Sequence, residues 1–285
     1  MPLEARATRF APSPTGPLHL GHAYAALIAQ ERAGAGRVLL RIEDIDQSRC
    51  RPEFETQIYD DLRWLGFDWV GPVMRQSDRL PAYRAALAGL AAVGVIYPCR
   101  CTRADIRASL SAPQEGAPLG PDGVTYPGTC RARSMSEASP QDAIRLNMSA
   151  ALARVGRLSF VEHGPEHPGR HVIDNDWLRD VAGDVVLARR DMGTSYHLSV
   201  VVDDAAQAIT EVTRGSDLFD ATSVHVLLQA LLQLPQPSYY HHALIRDDDG
   251  KRLAKRDDAR ALALCRAHGQ TPDDIRLSLG LAPDA

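Results

Sequence analysis

The apolar positions of this chain fall into short runs cut by turn residues, and the early runs alternate between two periodicities. Residues Ala7 to Ala11 read as extended, and the Pro12 to Pro17 stretch forbids regular structure. A helix is expected from about Gly21. Arg37 to Glu43 (RVLLRIE) fits a buried strand, and Pro52 suits the first turn of a helix ending near Leu65. A further helix is predicted from Leu80 to Val93. Strands alternating with helices imply a parallel sheet with helices on its faces.

The pattern changes near Tyr97. Residues Ser109 to Thr129 are rich in Gly, Pro, Ala and Ser and read as a loop or insertion. Strand-like pieces follow at Ala143 to Met148, Arg157 to Glu162 and Asp184 to Arg190. The apolar run around Val200 to Val202 and the stretch Ala208 to Val212 resume the pattern of a buried sheet. Helices are predicted at Leu218 to Leu232, at Asp257 to His268, and from Asp273, where Thr271 supplies the cap. The simplest plan is a Rossmann-like α/β nucleotide-binding domain built from 1–98 and 191–250. A subdomain at 99–190 interrupts it, and 251–285 forms a basic loop with a short helical extension.

Composition narrows the class. A chain of 285 residues, 45% hydrophobic, can bury a sizeable core. It has no apolar run of the roughly 18 residues a membrane helix needs, and its first sixteen residues hold no secretory core. A soluble, cytoplasmic protein is expected. Five cysteines, an odd number, argue against a disulfide framework. The net charge of -4 says little against a nucleic-acid partner, because such contacts depend on local basic patches. Of 32 lysines and arginines only two are lysines, Lys251 and Lys255, four positions apart. An ammonium on a flexible stem differs physically from a planar guanidinium, so a site that wants an ammonium is expected there.

The main chemical signal is the strand-turn-helix carrying Arg9-Phe10-Ala11-Pro12-Ser13-Pro14-Thr15-Gly16-Pro17-Leu18-His19-Leu20-Gly21-His22. A helix N-terminus offers unpaired N–H groups and the positive end of a dipole, which suits a phosphate. Gly21 allows close backbone approach, and His19 and His22 are donors for phosphate oxygens as charge builds. Two ordinary histidines at a helix start would be the plainer explanation of a bare His-x-Gly-His. A second cluster is Cys99, Cys101 and Cys130, thiols of the kind zinc takes in fours, which leaves one place open. Three reduced cysteines at a domain junction are the alternative.

Taken together, the 9–22 segment resembles the signature of class I aminoacyl-tRNA synthetases in the form of the glutamyl and glutaminyl branch. Arg41-Ile42-Glu43-Asp44-Ile45-Asp46 resembles that branch's acidic segment, and Gly250-Lys251-Arg252-Leu253-Ala254-Lys255-Arg256 resembles its second ATP signature. The usual form of the latter is Lys-Leu-Ser-Lys. Here Arg252 keeps a charge, Ala254 loses a hydroxyl and Lys255 is retained. The resemblance implies an ATP site at His19, Gly21, His22, Arg252 and Lys255, with Mg²⁺ on the phosphates and with His19, His22 and Lys255 catalytic. It places glutamate among Arg9, Ala11, Ser13, Glu43, Tyr196 and Arg214. Glu43 would take the ammonium and the cations would face the side-chain carboxylate, as free glutamate's charges demand. It further implies that Tyr126 completes a Cys99, Cys101, Cys130 zinc site, one ion per chain and structural. Val200 stands where full glutamyl synthetases usually carry Asn.

The chain ends about thirty residues after the second signature, where full-length members continue into an anticodon-binding region. With the cysteine cluster, this resembles a stand-alone relative of the catalytic half. Such a relative would activate glutamate without tRNA and move it to the queuosine base at the wobble position of tRNA(Asp), as a monomer. A truncated conventional glutamyl synthetase and a small nucleotidyltransferase are the rivals among enzymes, and an RNA-binding paralogue without catalysis is the rival outside them.

Overall fold

A computed structural model describes residues 5–109, 119–121, 123–245 and 261–283. The first strand, β1 (Ala7–Phe10), is buried throughout and leads through the proline-rich turn into helix α1 (Leu20–Ala33). Strand β2 (Arg37–Ile42) runs parallel to β1, and β3 (Met74–Arg75) extends the same sheet. The α1–β2 turn requires glycine at Gly36, where a Cβ would lie 2.0 Å from the Arg6 carbonyl oxygen. Helix α2 (Pro52–Trp64) starts on Pro52 with Glu53 and Glu55 in its first turn and Arg63 in its last, matching the helix dipole at both ends. Helix α3 (Leu80–Ala92) follows.

The middle of the chain builds a second, antiparallel sheet from β4 (Ile96–Cys99), β7 (Ala143–Leu146) and β10 (Val186–Ala188), with β7 central. Between them lie α4 (Arg103–Ser109), the two-residue strands β5 (Leu119–Gly120) and β6 (Gly123–Val124), and α5 (Met148–Leu152). Strands β8 (Ser159–Glu162) and β9 (Gly169–Val172) form a hairpin, and α6 (Asn175–Trp177) runs into a π-turn over Leu178–Ala182.

Helix α7 (Tyr196–Ala206), strand β11 (Glu211–Gly215), helix α8 (Ala221–Leu231) and strand β12 (Ser238–His242) complete the central layers. Strand β12 is parallel to both β11 and β8, giving the order β11-β12-β8-β9. The Thr210 N–H donates to the Ala7 carbonyl at 2.9 Å, which seats β1 next to the start of β11. The chain thus folds as a parallel-sheet α/β layer with an antiparallel sheet beside it. Helices α9 (Leu262–Ala267) and α10 (Pro272–Ser278) pack Leu262, Cys265 and Ile275 into the core that β1, α1 and β2 share. Thr271 caps α10 as its sequence position predicts, through a reciprocal pair with Asp274.

One sequence expectation is overturned. Val200 to Val202 belong to helix α7, not to a sheet. A fully buried apolar run carries no periodicity that separates the two, and here the burial extends to His197, Ser199, Asp203 and Asp204. Tertiary packing outweighs the β preference of three consecutive valines.

Asp204 on α7 joins the layers. It accepts from Arg9 Nε of β1 at 2.9 Å and from Arg41 Nη1 of β2 at 2.7 Å. Burial alone would raise the pKa of its carboxyl, but the two guanidiniums outweigh burial and hold it below the ordinary range. Removing one partner from a buried ionic cluster leaves charge uncompensated. Asp204→Ala should therefore cost about 3–5 kcal/mol in urea unfolding at neutral pH. A loss under about 1 kcal/mol, the scale of an exposed pair, would show that the cluster is solvated.

Candidate active site

A cleft of about 530 Å³ opens at the ends of β1, β2 and β11, within the size range of small-molecule sites. The first wall is the turn after β1 and the start of α1. His19 is the N-cap of α1: its Nδ1 accepts from the Gly21 N–H at 3.1 Å, and the His22 Nδ1 accepts from the His19 N–H at 3.2 Å. With both Nδ1 atoms accepting, each neutral ring carries its proton on Nε2. The ring centroids are 3.8 Å apart. A Cβ on Gly21 would approach the His19 ring within 3.1–3.2 Å, so glycine makes room for the capping ring as well as for a ligand. The sequence shows two donors here, and the structure adds a helix cap made by the same two side chains.

The second wall carries charge. The Glu43 N–H donates to the Pro12 carbonyl at 2.9 Å, which fixes the end of β2 against the turn carrying Ala11 and Ser13. Burial pushes the Glu43 carboxyl upward while Arg41, donating at 3.2 Å, opposes that shift. Arg41 is fully buried; Asp204 and Glu43 overcome the effect of its burial and keep it a cation. Arg9 reaches the cleft with its charge already answered by Asp204 and with Nη1 on the Thr213 carbonyl at 2.8 Å.

Arg214, near the end of β11, faces the same cleft and is held differently. Its Nε donates to His241 Nε2 at 3.0 Å, its Nη1 to His225 Nδ1 at 2.9 Å and its Nη2 to Thr222 Oγ1 at 2.7 Å. No carboxylate is among these partners. Tyr196, at the start of α7, lines the cleft beside it, and burial keeps its phenol protonated against the pull of Arg214. The cleft therefore collects Arg9, Ala11, Ser13, His19, Gly21, His22, Glu43, Tyr196 and Arg214. Lys251, Arg252 and Lys255 lie outside the described residues.

Several participants went unseen in the sequence. Arg41 is read only as part of its motif, and Asp204 follows the Val200 to Val202 run with no role assigned to it. His225, His241, Thr222 and Glu162 carry no local motif. Their signal is the strand register, which sets Arg214 opposite His241 and Tyr239 opposite Glu162.

The thiols form a separate cluster beyond β4. The ligand atoms of Cys99, Cys101 and Cys130 all lie within 4.8 Å of one another. The Tyr126 hydroxyl is 3.3 Å from Cys99 Sγ and 3.4 Å from Cys101 Sγ, and Cys101 and Cys130 sulfurs are 3.6 Å apart. Tetrahedral zinc with Zn–S near 2.3 Å requires edges of roughly 3.8 Å, so the set fits a closed four-ligand site after small adjustment. Burial raises the Cys130 thiol, but hydrogen bonds led by the Arg100 backbone draw it down to about 7. The Arg145 guanidinium lies 3.9 Å from the Tyr126 ring centroid.

Comparison with known proteins agrees with this architecture. Residues 6–279 match the family of tRNA synthetases class I (E and Q), catalytic domain, and the chain belongs to that family of ligases. Among its relatives, the glutamyl-Q tRNA(Asp) synthetase of Rhodobacter capsulatus is 61% identical over 96% of this chain and 99% of its own length. The glutamyl-Q tRNA(Asp) synthetase of Symbiobacterium thermophilum is 42% identical over 94% of this chain and 83% of its own. A glutamate tRNA ligase from Elizabethkingia meningosepticum, solved in complex with its amino acid, superposes with a TM-score of 0.69 at 29% identity. That alignment covers 89% of this chain, which spans about half (52%) of the solved one. The methionyl-tRNA synthetase of Mycobacterium tuberculosis, at 13% identity over 96% of this chain and 63% of its own, shares the fold with a TM-score of 0.57. Among the described residues no helix is long and apolar enough to cross a membrane.

The buried histidines give the fold a pH dependence. Burial, reinforced by Arg214, holds His225 well below its ordinary pKa, and burial holds His241 and His242 below theirs. As pH falls through about 6.5 the unfolded chain gains protons that the folded chain refuses, so acidification destabilises the fold. Asp61, raised to about 6 by burial, works in the opposite sense at lower pH. Urea midpoints should drop between pH about 7.5 and about 6. A flat profile over that interval would mean that these rings titrate as freely as in the unfolded chain.

Proposed function

We propose that this protein activates glutamate with ATP and transfers it to the queuosine base at the wobble position of tRNA(Asp). The observation that carries the amino-acid assignment is the charge layout of one cleft: Glu43 on one wall and, across it, Arg214 held by neutral groups. Free glutamate presents one ammonium and an extra carboxylate, which that layout complements. Tyr196, Arg9, Ala11 and Ser13 complete the pocket. Glutamine offers an amide where the cation requires an anion, and the amide –NH₂ finds no acceptor on Arg214.

In the first step a glutamate α-carboxylate oxygen attacks the α-phosphorus of ATP in line. A new P–O bond forms, the bond to the β-phosphate oxygen breaks, and pyrophosphate leaves with its electron pair. No side-chain nucleophile is needed; positioning and charge stabilisation carry the step. His19 and His22 donate through Nε2–H to the phosphate oxygens, Gly21 lets the nucleotide approach the backbone, and Lys255 with Arg252 meets the departing pyrophosphate. Mg²⁺ enters with the ATP phosphates as part of the nucleotide. In the second step a hydroxyl of the queuosine cyclopentene diol attacks the glutamyl carbonyl, and AMP departs. The names of the 61% and 42% identical relatives support this acceptor.

The inserted segment 99–190 would hold one zinc ion on Cys99, Cys101, Tyr126 and Cys130. Four protein ligands leave no open position, so the ion supplies folding energy to the insertion and no chemistry. Metal analysis of protein purified without chelator should find about one zinc per chain, lost in Cys130→Ser. Metal-free native protein would assign the cluster to reduced thiols.

The acceptor is tested with labelled glutamate and separated tRNA species. Label should enter tRNA(Asp) that carries queuosine and not tRNA(Asp) that lacks it. Ribonuclease fragmentation should place it in the anticodon loop. Label on the 3′-terminal adenosine of tRNA(Glu) would instead identify a conventional glutamyl synthetase.

A further inference from the structure

Arg214 differs from most of the buried or half-buried arginines among the described residues; Arg145, which donates to the Asp184 backbone carbonyl and lies over the Tyr126 ring, is the other without a direct carboxylate bond. Arg9 and Arg41 both donate to Asp204, Arg32 makes two bonds to Glu211, and Arg133 makes two to Asp142. These direct carboxylate pairs answer the charge where it stands. Arg214 instead donates to the Thr222 hydroxyl and to two imidazoles, with the Tyr196 phenol also within its reach, and the nearest carboxylate of this network, Glu162, is kept one histidine away.

That arrangement depends on a tautomer. The Arg214 Nε–H can donate to His241 Nε2 only if that nitrogen presents a lone pair, which requires the ring proton on Nδ1. Glu162 Oε2 lies 2.6 Å from His241 Nδ1 and accepts that proton's hydrogen bond. The other oxygen, Oε1, is occupied by the His241 N–H at 2.8 Å and the Gly164 N–H at 2.6 Å. A Cβ at Gly164 would fall 2.2 Å from the His241 carbonyl oxygen and 2.6 Å from Glu162 Oε1, so only glycine admits this clamp. The three side chains occupy three adjacent strands, β8, β12 and β11, with Arg214 opposite His241 in the register. A second arm repeats the logic: His225 accepts from Arg214 on Nδ1, and its Nε2 lies 3.0 Å from His197 Nδ1.

We propose that Glu162 and His241 are positioning residues that orient Arg214 through a fixed imidazole tautomer while leaving its charge without a direct counter-ion, and so set the selectivity for an anionic amino-acid side chain. A purely structural role would be met more simply by a carboxylate placed directly on Arg214, as at Arg9, Arg32, Arg41 and Arg133. With neutral acceptors on three donors, the guanidinium is aligned and its field is undiluted towards the cleft. The inference rests on the glutamate assignment for that cleft.

Glu162→Gln tests it. The Gln Oε1 can keep the two backbone N–H groups, which leaves its –NH₂ facing His241 Nδ1. The imidazole must then adopt the other tautomer and present Nε2–H to Arg214 Nε–H, donor against donor. In amino-acid-dependent pyrophosphate exchange, KM for glutamate should rise roughly tenfold or more, the scale of one misaligned charged hydrogen bond. KM for ATP should stay within about twofold, because the nucleotide does not use Arg214. The preference for glutamate over glutamine should fall with it. Parallel changes in both KM values, or no change in either, would overturn the proposal. The native protein gives an independent readout: ring ¹⁵N spectra should show His241 protonated on Nδ1 and bare on Nε2 at neutral pH. The reverse tautomer would also overturn the proposal. Native protein that activates a different amino acid would defeat the glutamate assignment and leave the tautomer result standing.

Discussion

Asp204 is the contact on which the rest of the molecule depends. It sits near the end of α7, yet its one carboxylate receives Arg9 from β1 and Arg41 from β2, at 2.9 and 2.7 Å. Its neighbour Asp203 accepts from Gln76, Arg79 and Tyr83 at 3.0, 3.2 and 2.7 Å, which binds α3 and the turn before it to the same helix. Two consecutive acidic residues thus fix two strands, α3 and the turn before it against a helix 120 to 195 positions later in the chain. Arg41 in turn holds Glu43 at the mouth of the cleft. The buried ions carry a desolvation cost, and their return lies in specifying which layers meet and in what register.

Charge pairing on one side of the cleft sharpens what happens on the other. Because Arg9 and Arg41 are answered by Asp204, their field across the cleft is reduced, and Arg214 with its neutral collar becomes the main attraction for an anion. A low-dielectric wall strengthens that field. A guanidinium can donate in three directions from a fixed plane, as Arg214 does, and an ammonium on a flexible stem cannot hold such a plane.

The parts legible in the sequence were those with local causes. Pro52, Thr271 and the turn at Pro12 to Pro17 mark boundaries through backbone chemistry, and the helices at Pro52–Trp64, Pro272–Ser278 and Leu20–Ala33 begin just after those signals or on them. The parts that were not legible depend on long-range pairing. Val200 to Val202 carry a strand-like composition, and only the layers packed around α7 decide that they are helical. The strand at Ser238–His242 was hidden because its alternation mixes tyrosine and histidine, whose burial is set by Arg214 and Glu162. The proposed amino-acid pocket was visible in the sequence as a set of charges, but the groups behind Arg214 were not. No spacing rule links Glu162, Thr222, His225 and His241, which meet only through the order β11-β12-β8 and through α8.

The two ends of the cleft also differ in how far stability and chemistry can be separated. At the start of α1, His19 and His22 use Nδ1 to accept from backbone N–H groups, and the same bonds place the proton of each neutral ring on Nε2. Any substitution there removes a cap, worth about 1 kcal/mol, together with the donor. At Arg214 the supporting groups come from α8, β12 and β8, and Thr222, His225, His241 and Glu162 do not line the cleft. The orientation of Arg214 can therefore change through Glu162 while Arg9 and Glu43 keep their own contacts. Side-chain selectivity under the proposed function is thus freer to change at β8, β12 and β11 than at the start of α1.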